Sequence, residues 1–155
     1  CYLISKKSNG VVHDEDFKTV LLYYNKSNYK FSIREIIRLI YLIINFFDVK
    51  SLLKIQSREH LVNKIRDNNV LAQKFDDYIY VWFLAQHYDV KNLTQLVSLK
   101  NKLFDLAKNQ NLPIYIETTI PRLIKHYKRI GFQFYEKSYD SISQSTIYFG
   151  RYIPF

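Results

Sequence analysis

The sequence predicts an α/β fold: a mixed β-sheet, partly parallel and partly antiparallel, flanked by helices. Three observations lead there. Residues 79–86 form a nearly continuous apolar and aromatic run, Ile-Tyr-Val-Trp-Phe-Leu-Ala-Gln, as a strand buried on both faces requires. A helical stretch at 93–109 then links it to a second short β run at 113–118, and a strand–helix–strand unit of this size places its strands parallel with a right-handed crossover. Further on, Phe132 and Phe134, then Ile147 and Phe149, alternate with polar neighbours on either side of a polar loop at 140–145. That alternation predicts an antiparallel pair.

In chain order, residues 1–5 and 19–25 read as two antiparallel strands. Ser8, Asn9 and Gly10 and the acidic run Asp14, Glu15, Asp16 fall in their connection. Ser32 and Glu35 form a capping box ahead of an apolar helix at 36–47, with Arg34, Arg38, Tyr41 and Asn45 along one stripe. Its apolar span is too short for a bilayer. A second helix is expected at 57–68, with Leu61 and Ile65 facing inward and Arg58, Glu59, Lys64 and Arg66 outward.

After the strand at 79–86, a loop at 87–92 leads into the helix at 93–109. Its apolar residues Leu96, Leu99, Leu103, Leu106 and Ala107 recur at helical spacing. Ile114, Tyr115 and Ile116 make the short buried strand that follows Pro113. The next helix has Thr119 as its expected cap and Pro121 in its first turn, where a missing N–H costs nothing. Leu123, Ile124, Tyr127 and Ile130 would face the sheet, with Arg122, Lys125, Lys128 and Arg129 on the outer side. Gly131 ends the helix, because the residue after a helix often needs positive φ.

A chain of 155 residues, 48% hydrophobic and 17% aromatic, reads as one ordered domain, without repeat or linker. The formal charge of +9 is spread along the chain, and its tightest cluster is Arg122, Lys125, Lys128 and Arg129. That cluster is a solvated helix face, a help in holding a polyanionic ligand, or a nucleic-acid contact; no nucleic-acid module accompanies it. One cysteine rules out an internal disulfide framework and suits a reducing, cytoplasmic setting. His13, His60, His87 and His126 are scattered without ligand spacing, so no metal site is expected. The chain opens on Cys1 rather than methionine and reads as a piece of a longer protein; a lipid on Cys1 is the alternative, against which stands the absence of a polar tether.

The stretch Pro113-Ile-Tyr-Ile-Glu-Thr-Thr-Ile-Pro-Arg122, followed by Lys125-His-Tyr-Lys-Arg-Ile-Gly-Phe-Gln-Phe-Tyr135, resembles the C-terminal half of the GNAT superfamily of N-acetyltransferases. The resemblance runs from Tyr78 to Phe155. It implies a GNAT-like domain that lacks its N-terminal strand and helices, with the helices at 36–47 and 57–68 inserted between the third and fourth strands of the fold. The strands at 79–86 and 113–118 would splay apart to admit the pantetheine arm of acetyl-CoA, held along Leu84, Ala85 and Gln86 with Thr119 nearby. Tyr127 would protonate the leaving thiolate. Glu117, ending its strand, would be the base for the acceptor, a small-molecule or peptide amine, with His87 a weaker candidate. No membrane or nucleic-acid partner is implied, and a homodimer is compatible.

One feature departs from the family. GNAT proteins carry Arg/Gln-x-x-Gly-x-Gly/Ala where the pyrophosphate meets a helix N-terminus, glycine allowing the backbone N–H groups to approach the anion. This chain has Lys91-Asn92-Leu93-Thr94-Gln95-Leu96, and no glycine between Gly10 and Gly131. Either the loop binds the pyrophosphate in an altered geometry, with help from Lys91 and the Thr94 hydroxyl, or the site is degenerate and the fold serves as an inactive binding scaffold.

Overall fold

The computed structural model describes residues 10–13, 18–28, 49–87 and 94–154, and for 28 and 49–55 the backbone alone. The strand expected at 1–5 and the helix expected at 36–47 lie outside the described residues. Within them, six strands form one sheet: β1 (Val11–His13), β2 (Thr19–Asn25), β3 (Ile79–Gln86), β4 (Ile114–Thr118), β5 (Gln133–Asp140) and β6 (Ser145–Tyr152). Their order is β1-β2-β3-β4-β6-β5, antiparallel throughout except for the parallel pair β3–β4. Three helices accompany the sheet: α1 (Val49–Ala72), α2 (Thr94–Gln110) and α3 (Pro121–Arg129). The mixed sheet and its parallel β3–α2–β4 unit are as predicted.

β1 corrects the reading of residues 11–13 as part of a connection: Val11 pairs with Leu22 and His13 with Val20. Three residues are too few to show a period, and the β-branched pair Val11-Val12 was the only local signal.

Alternation along the strands separates two layers. On one face, Leu99, Leu103 and Ala107 of α2 pack on Leu21, Tyr23, Ile79, Ile114, Ile116 and Phe132. Their i, i+4, i+8 spacing is that of a single helical stripe. Burying each large aliphatic side chain contributes about 1.5–3 kcal/mol, so this layer supplies much of the driving force for folding.

The other face is covered by α1, which is longer than the predicted 57–68 and turned differently. Val62, Arg66 and Val70 are its buried positions, while Leu61 and Ile65 are only half-buried. Arg66, expected to point outward, is 2% exposed. The reason lies in what α1 covers: Tyr78, Tyr80, Tyr115 and Glu117 offer oxygens that a guanidinium can satisfy.

α3 brings two further corrections. Its N-cap is Ile120, without a side-chain cap, and the Ile120 N–H donates instead to Thr118 Oγ1 at 3.1 Å. Thr119 is exposed, because the extended residue before the helix is Ile120 and the usable hydroxyl sits on Thr118. Ile130, placed with the inward residues, is 37% exposed because it lies beyond the last helical residue as the C-cap. Gly131 follows at φ +108°, the helix stop expected of it.

Candidate functional site

β3 and β4 are neighbours for two residues only. Ile79 pairs with Ile114 and Tyr80 with Tyr115, after which the strands separate. β3 stays bound to β2 as far as Thr19–Gln86, and β4 stays bound to β6 as far as Thr118–Tyr148. The two therefore diverge toward their C-terminal ends. The register between β2 and β3 offers a local cause. Leu22 pairs with Phe83 but Tyr23 pairs with Val81, so Trp82 is an extra residue in β3, two positions beyond its last pair with β4. A bulge bends its strand and adds twist, which turns β3 away from β4. Nothing in the run Ile79–Gln86 marked Trp82 beforehand.

Beyond Tyr80, the β4-side edge of β3 carries backbone N–H and C=O groups that no strand among the described residues pairs. Such an edge is a ready partner for an amide-bearing chain. Leu84, Ala85 and Gln86 lie here; Leu84 is 41% exposed and the other two are half-buried. His87 follows at the surface, its N–H donating to Lys18 O at 2.7 Å. Of the expected phosphate-binding stretch, Lys91, Asn92 and Leu93 lie outside the described residues. Thr94 and Gln95 open α2, with Thr94 exposed and Leu96 half-buried. The Gln95 side chain accepts from Thr19 Oγ1 at 3.4 Å, which ties it to the buried start of β2.

Glu117 sits next to last on β4, on the face beneath α1. Arg66 Nη1 donates to its Oε1 at 3.0 Å, and the Tyr80 hydroxyl donates to its Oε2 at 2.8 Å. Only 14% of the side chain is exposed. Burial pushes the Glu117 carboxyl above the usual carboxylate range, while Arg66 and the Tyr80 hydrogen bond oppose that shift. Among the described residues each oxygen holds one donor, and a carboxylate oxygen can accept a second. A carboxylate so placed can take a proton from a group that reaches it.

Arg66 itself is fully engaged. Nε donates to the Tyr78 hydroxyl at 3.0 Å, Nη2 donates to Asn63 Oδ1, and the guanidinium lies 4.0 Å from the centre of the Tyr80 ring. Tyr78 in turn donates to Asp67 Oδ1 at 3.2 Å. Burial works against the charge on Arg66, but Glu117 and the hydroxyls of Tyr78, Tyr80 and Tyr24 outweigh it, so the guanidinium is held charged. Sequence reasoning missed Arg66 and Tyr80. The available signal was phase: Arg66 stands four residues from both Val62 and Val70.

Tyr127 lies on the opposite face of the sheet from Glu117. Its ring packs edge-on to Phe132 at 5.9 Å and tilted against Phe134 at 6.3 Å, and burial raises the phenol's pKa. The two candidate catalytic groups thus flank β4 from its two sides. Thr119 is exposed just beyond that strand. Among the described residues no cluster of His, Cys, Asp and Glu could hold a metal ion, and no helix is long and apolar enough to cross a membrane.

No protein-family profile and no curated protein matches the sequence. Solved structures do match the fold. A mosquito arylalkylamine N-acetyltransferase-like protein aligns over 92% of this chain and 73% of its own, with TM-score 0.64 and 13% identity. The Drosophila melanogaster polyamine N-acetyltransferase, an enzyme that forms N-acetylagmatine, aligns over 92% and 72%, with TM-score 0.61 and 10% identity. An agmatine N-acetyltransferase aligns over 87% and 68%, with TM-score 0.58 and 9% identity. The chain has the GNAT N-acetyltransferase fold.

Proposed function

We propose that this protein is an acyl-CoA-dependent N-acetyltransferase that moves an acetyl group from acetyl-CoA to an amine. The observation that carries this reading is the divergence of β3 from β4 after two paired residues, which among the described residues leaves a backbone edge without a strand partner beside a carboxylate only 14% exposed. The pantetheine amides of acetyl-CoA would hydrogen-bond along Leu84, Ala85 and Gln86, and the start of α2 around Thr94, Gln95 and Leu96 would meet the pyrophosphate.

Transfer asks for three things: a neutral amine, a polarised thioester carbonyl and a proton for the leaving sulfur. Glu117 takes the ammonium proton, directly or through a water, and the freed lone pair attacks the thioester carbon. A backbone N–H on the open edge of β3 stabilises the resulting oxyanion. As the C–S bond breaks, Tyr127 gives its phenolic proton to the thiolate, the second proton leaves the new amide nitrogen for solvent, and Tyr127 is reprotonated from solvent. Burial helps the base, because a carboxylate of raised pKa is a stronger proton acceptor. Agmatine and arylalkylamines, named for the structural neighbours, are the first acceptors to assay.

A second reading is an inactive scaffold. It is favoured by the glycine-free start of α2 and by the engagement of Gln95 with Thr19. Calorimetric titration with acetyl-CoA separates the two without knowledge of the acceptor. The enzyme reading expects saturable binding within the roughly 1 μM–1 mM range of enzyme substrates. No heat of binding at millimolar acetyl-CoA would leave the scaffold.

A further inference from the structure

Beneath α1, one guanidinium organises both groups that, among the described residues, hydrogen-bond to the Glu117 carboxylate. Arg66 meets Glu117 Oε1 directly and reaches Oε2 through its stacking on Tyr80, whose hydroxyl donates there. It is fixed in its turn by Tyr78 and Asn63, so all three of its nitrogens have partners. A planar fork with each arm engaged cannot rotate without breaking several hydrogen bonds at once. The carboxylate is oriented from a helix that contributes no other group to the chemistry.

We propose that Arg66 is a positioning residue for acetyl transfer: from α1 it aims the Glu117 carboxylate and keeps it the anion that accepts the acceptor's proton. The inference rests on the reading of Glu117 as base. Other charged and titratable groups face this pair more remotely. Arg58 and Glu59 act on Glu117 from α1, Tyr135 couples to it from β5, and Tyr24 couples to Arg66 from β2. Arg151 of β6 donates to Asn69 and faces Tyr135 rather than Glu117. None of these makes a hydrogen bond to the carboxylate, so among the described residues Arg66 is its one cationic hydrogen-bond partner.

The test, with agmatine and an arylalkylamine as acceptors, compares Arg66→Met and Arg66→Lys with the parent and with Glu117→Gln, reading kcat/KM against pH, acetyl-CoA affinity and thermal unfolding. In Arg66→Met, turnover at neutral pH should fall roughly 10²-fold, the scale of a lost general base. Its acid limb should move to higher pH, because the remaining carboxyl is buried without its counter-charge, while acetyl-CoA affinity stays at the parent's value. Arg66→Lys keeps the charge but cannot bridge Tyr78, Asn63 and Glu117 together, so a fall of about tenfold with a smaller displacement is expected. A loss uniform across pH in Arg66→Met overturns the proposal. Should that variant fail to fold, parental kcat and pH profile in Arg66→Lys overturn it equally. Full turnover in Glu117→Gln, or no acetylation by the parent, removes the base itself and the positioning role with it. An inactive Glu117→Gln beside unmoved profiles in the Arg66 variants refutes only the role of Arg66.

Discussion

Leu99, Leu103 and Ala107 of α2 meet Ile79, Ile114 and Ile116 in an apolar layer, whereas on the reverse of the same strands Tyr78, Tyr80, Tyr115 and Glu117 meet Arg66 and Asn69 of α1. The first layer gains by area and has no preferred direction, so its strength accumulates residue by residue. The second gains only when every donor finds its acceptor, and a half-satisfied buried network is worse than none. The α2 face should therefore lose stability in graded steps, and the α1 face abruptly.

The largest effect is expected where the polar layer is half broken. Arg66→Met leaves Glu117 buried without its counter-charge and should cost about 3–5 kcal/mol, whereas Arg66→Met combined with Glu117→Leu should recover most of that loss. Urea unfolding of both variants measures it; a double variant no more stable than the single would mean that the pair does not organise this face. On the apolar side, Leu103→Ala should cost about 2–5 kcal/mol, depending on how far α2 settles into the space. A loss well under 1 kcal/mol would show that α2 is not seated as described.

The third contrast concerns catalysis without stability. Tyr127→Phe keeps the ring against Phe132 and Phe134 and removes the hydroxyl alone. Under the proposed reaction its turnover should fall roughly 10²-fold, with thermal stability and acetyl-CoA affinity close to the parent. Unchanged turnover would make Tyr127 a packing residue of the apolar face.

The smallest effect, nil at neutral pH, separates the faces by titration. Burial pushes the Tyr78 and Tyr115 phenols up to about 12, each opposed by nearby guanidinium charge. Both folded values lie above the unfolded one, near 10. Their contribution to stability is therefore complete below pH 10 and is lost as pH rises through about 12. Ultraviolet titration should show these tyrosines ionising only as the protein unfolds, and reversible ionisation near pH 10 with the fold intact would refute the burial of this layer.

The faces also differed in how far the sequence disclosed them. α2 and the final hairpin were readable because burial against apolar neighbours imposes a period, β3 and β4 because they are short apolar and β-branched runs, and the ends of α3 were marked by Pro121 and Gly131. The α1 face was misread for the converse reason. Arg66 has the composition of a surface residue, and only Tyr80 and Glu117, distant in sequence, make its burial favourable. Thr119 was chosen as cap by residue type, when Thr118 was the threonine whose hydroxyl met a free N–H. The bulge at Trp82 left no trace, since it arises from pairing with β2 and not from the strand's own composition. Candidate site residues were named mostly by family pattern, and Arg66, which hydrogen-bonds to Glu117, was not among them.

Two rungs of hydrogen bonding between β3 and β4 have a mechanical consequence. The sheet amounts to two plates, β1-β2-β3 and β4-β6-β5, meeting along a hinge about two residues long. α2 clasps both plates from one side, through Leu21 and Tyr23 on the first and Ile114 and Ile116 on the second. Arg66 clasps them from the other, joining Tyr78 and Tyr80 to Glu117. Whatever settles between the plates becomes a third clasp, and its arrival would register as stiffness felt across the whole sheet.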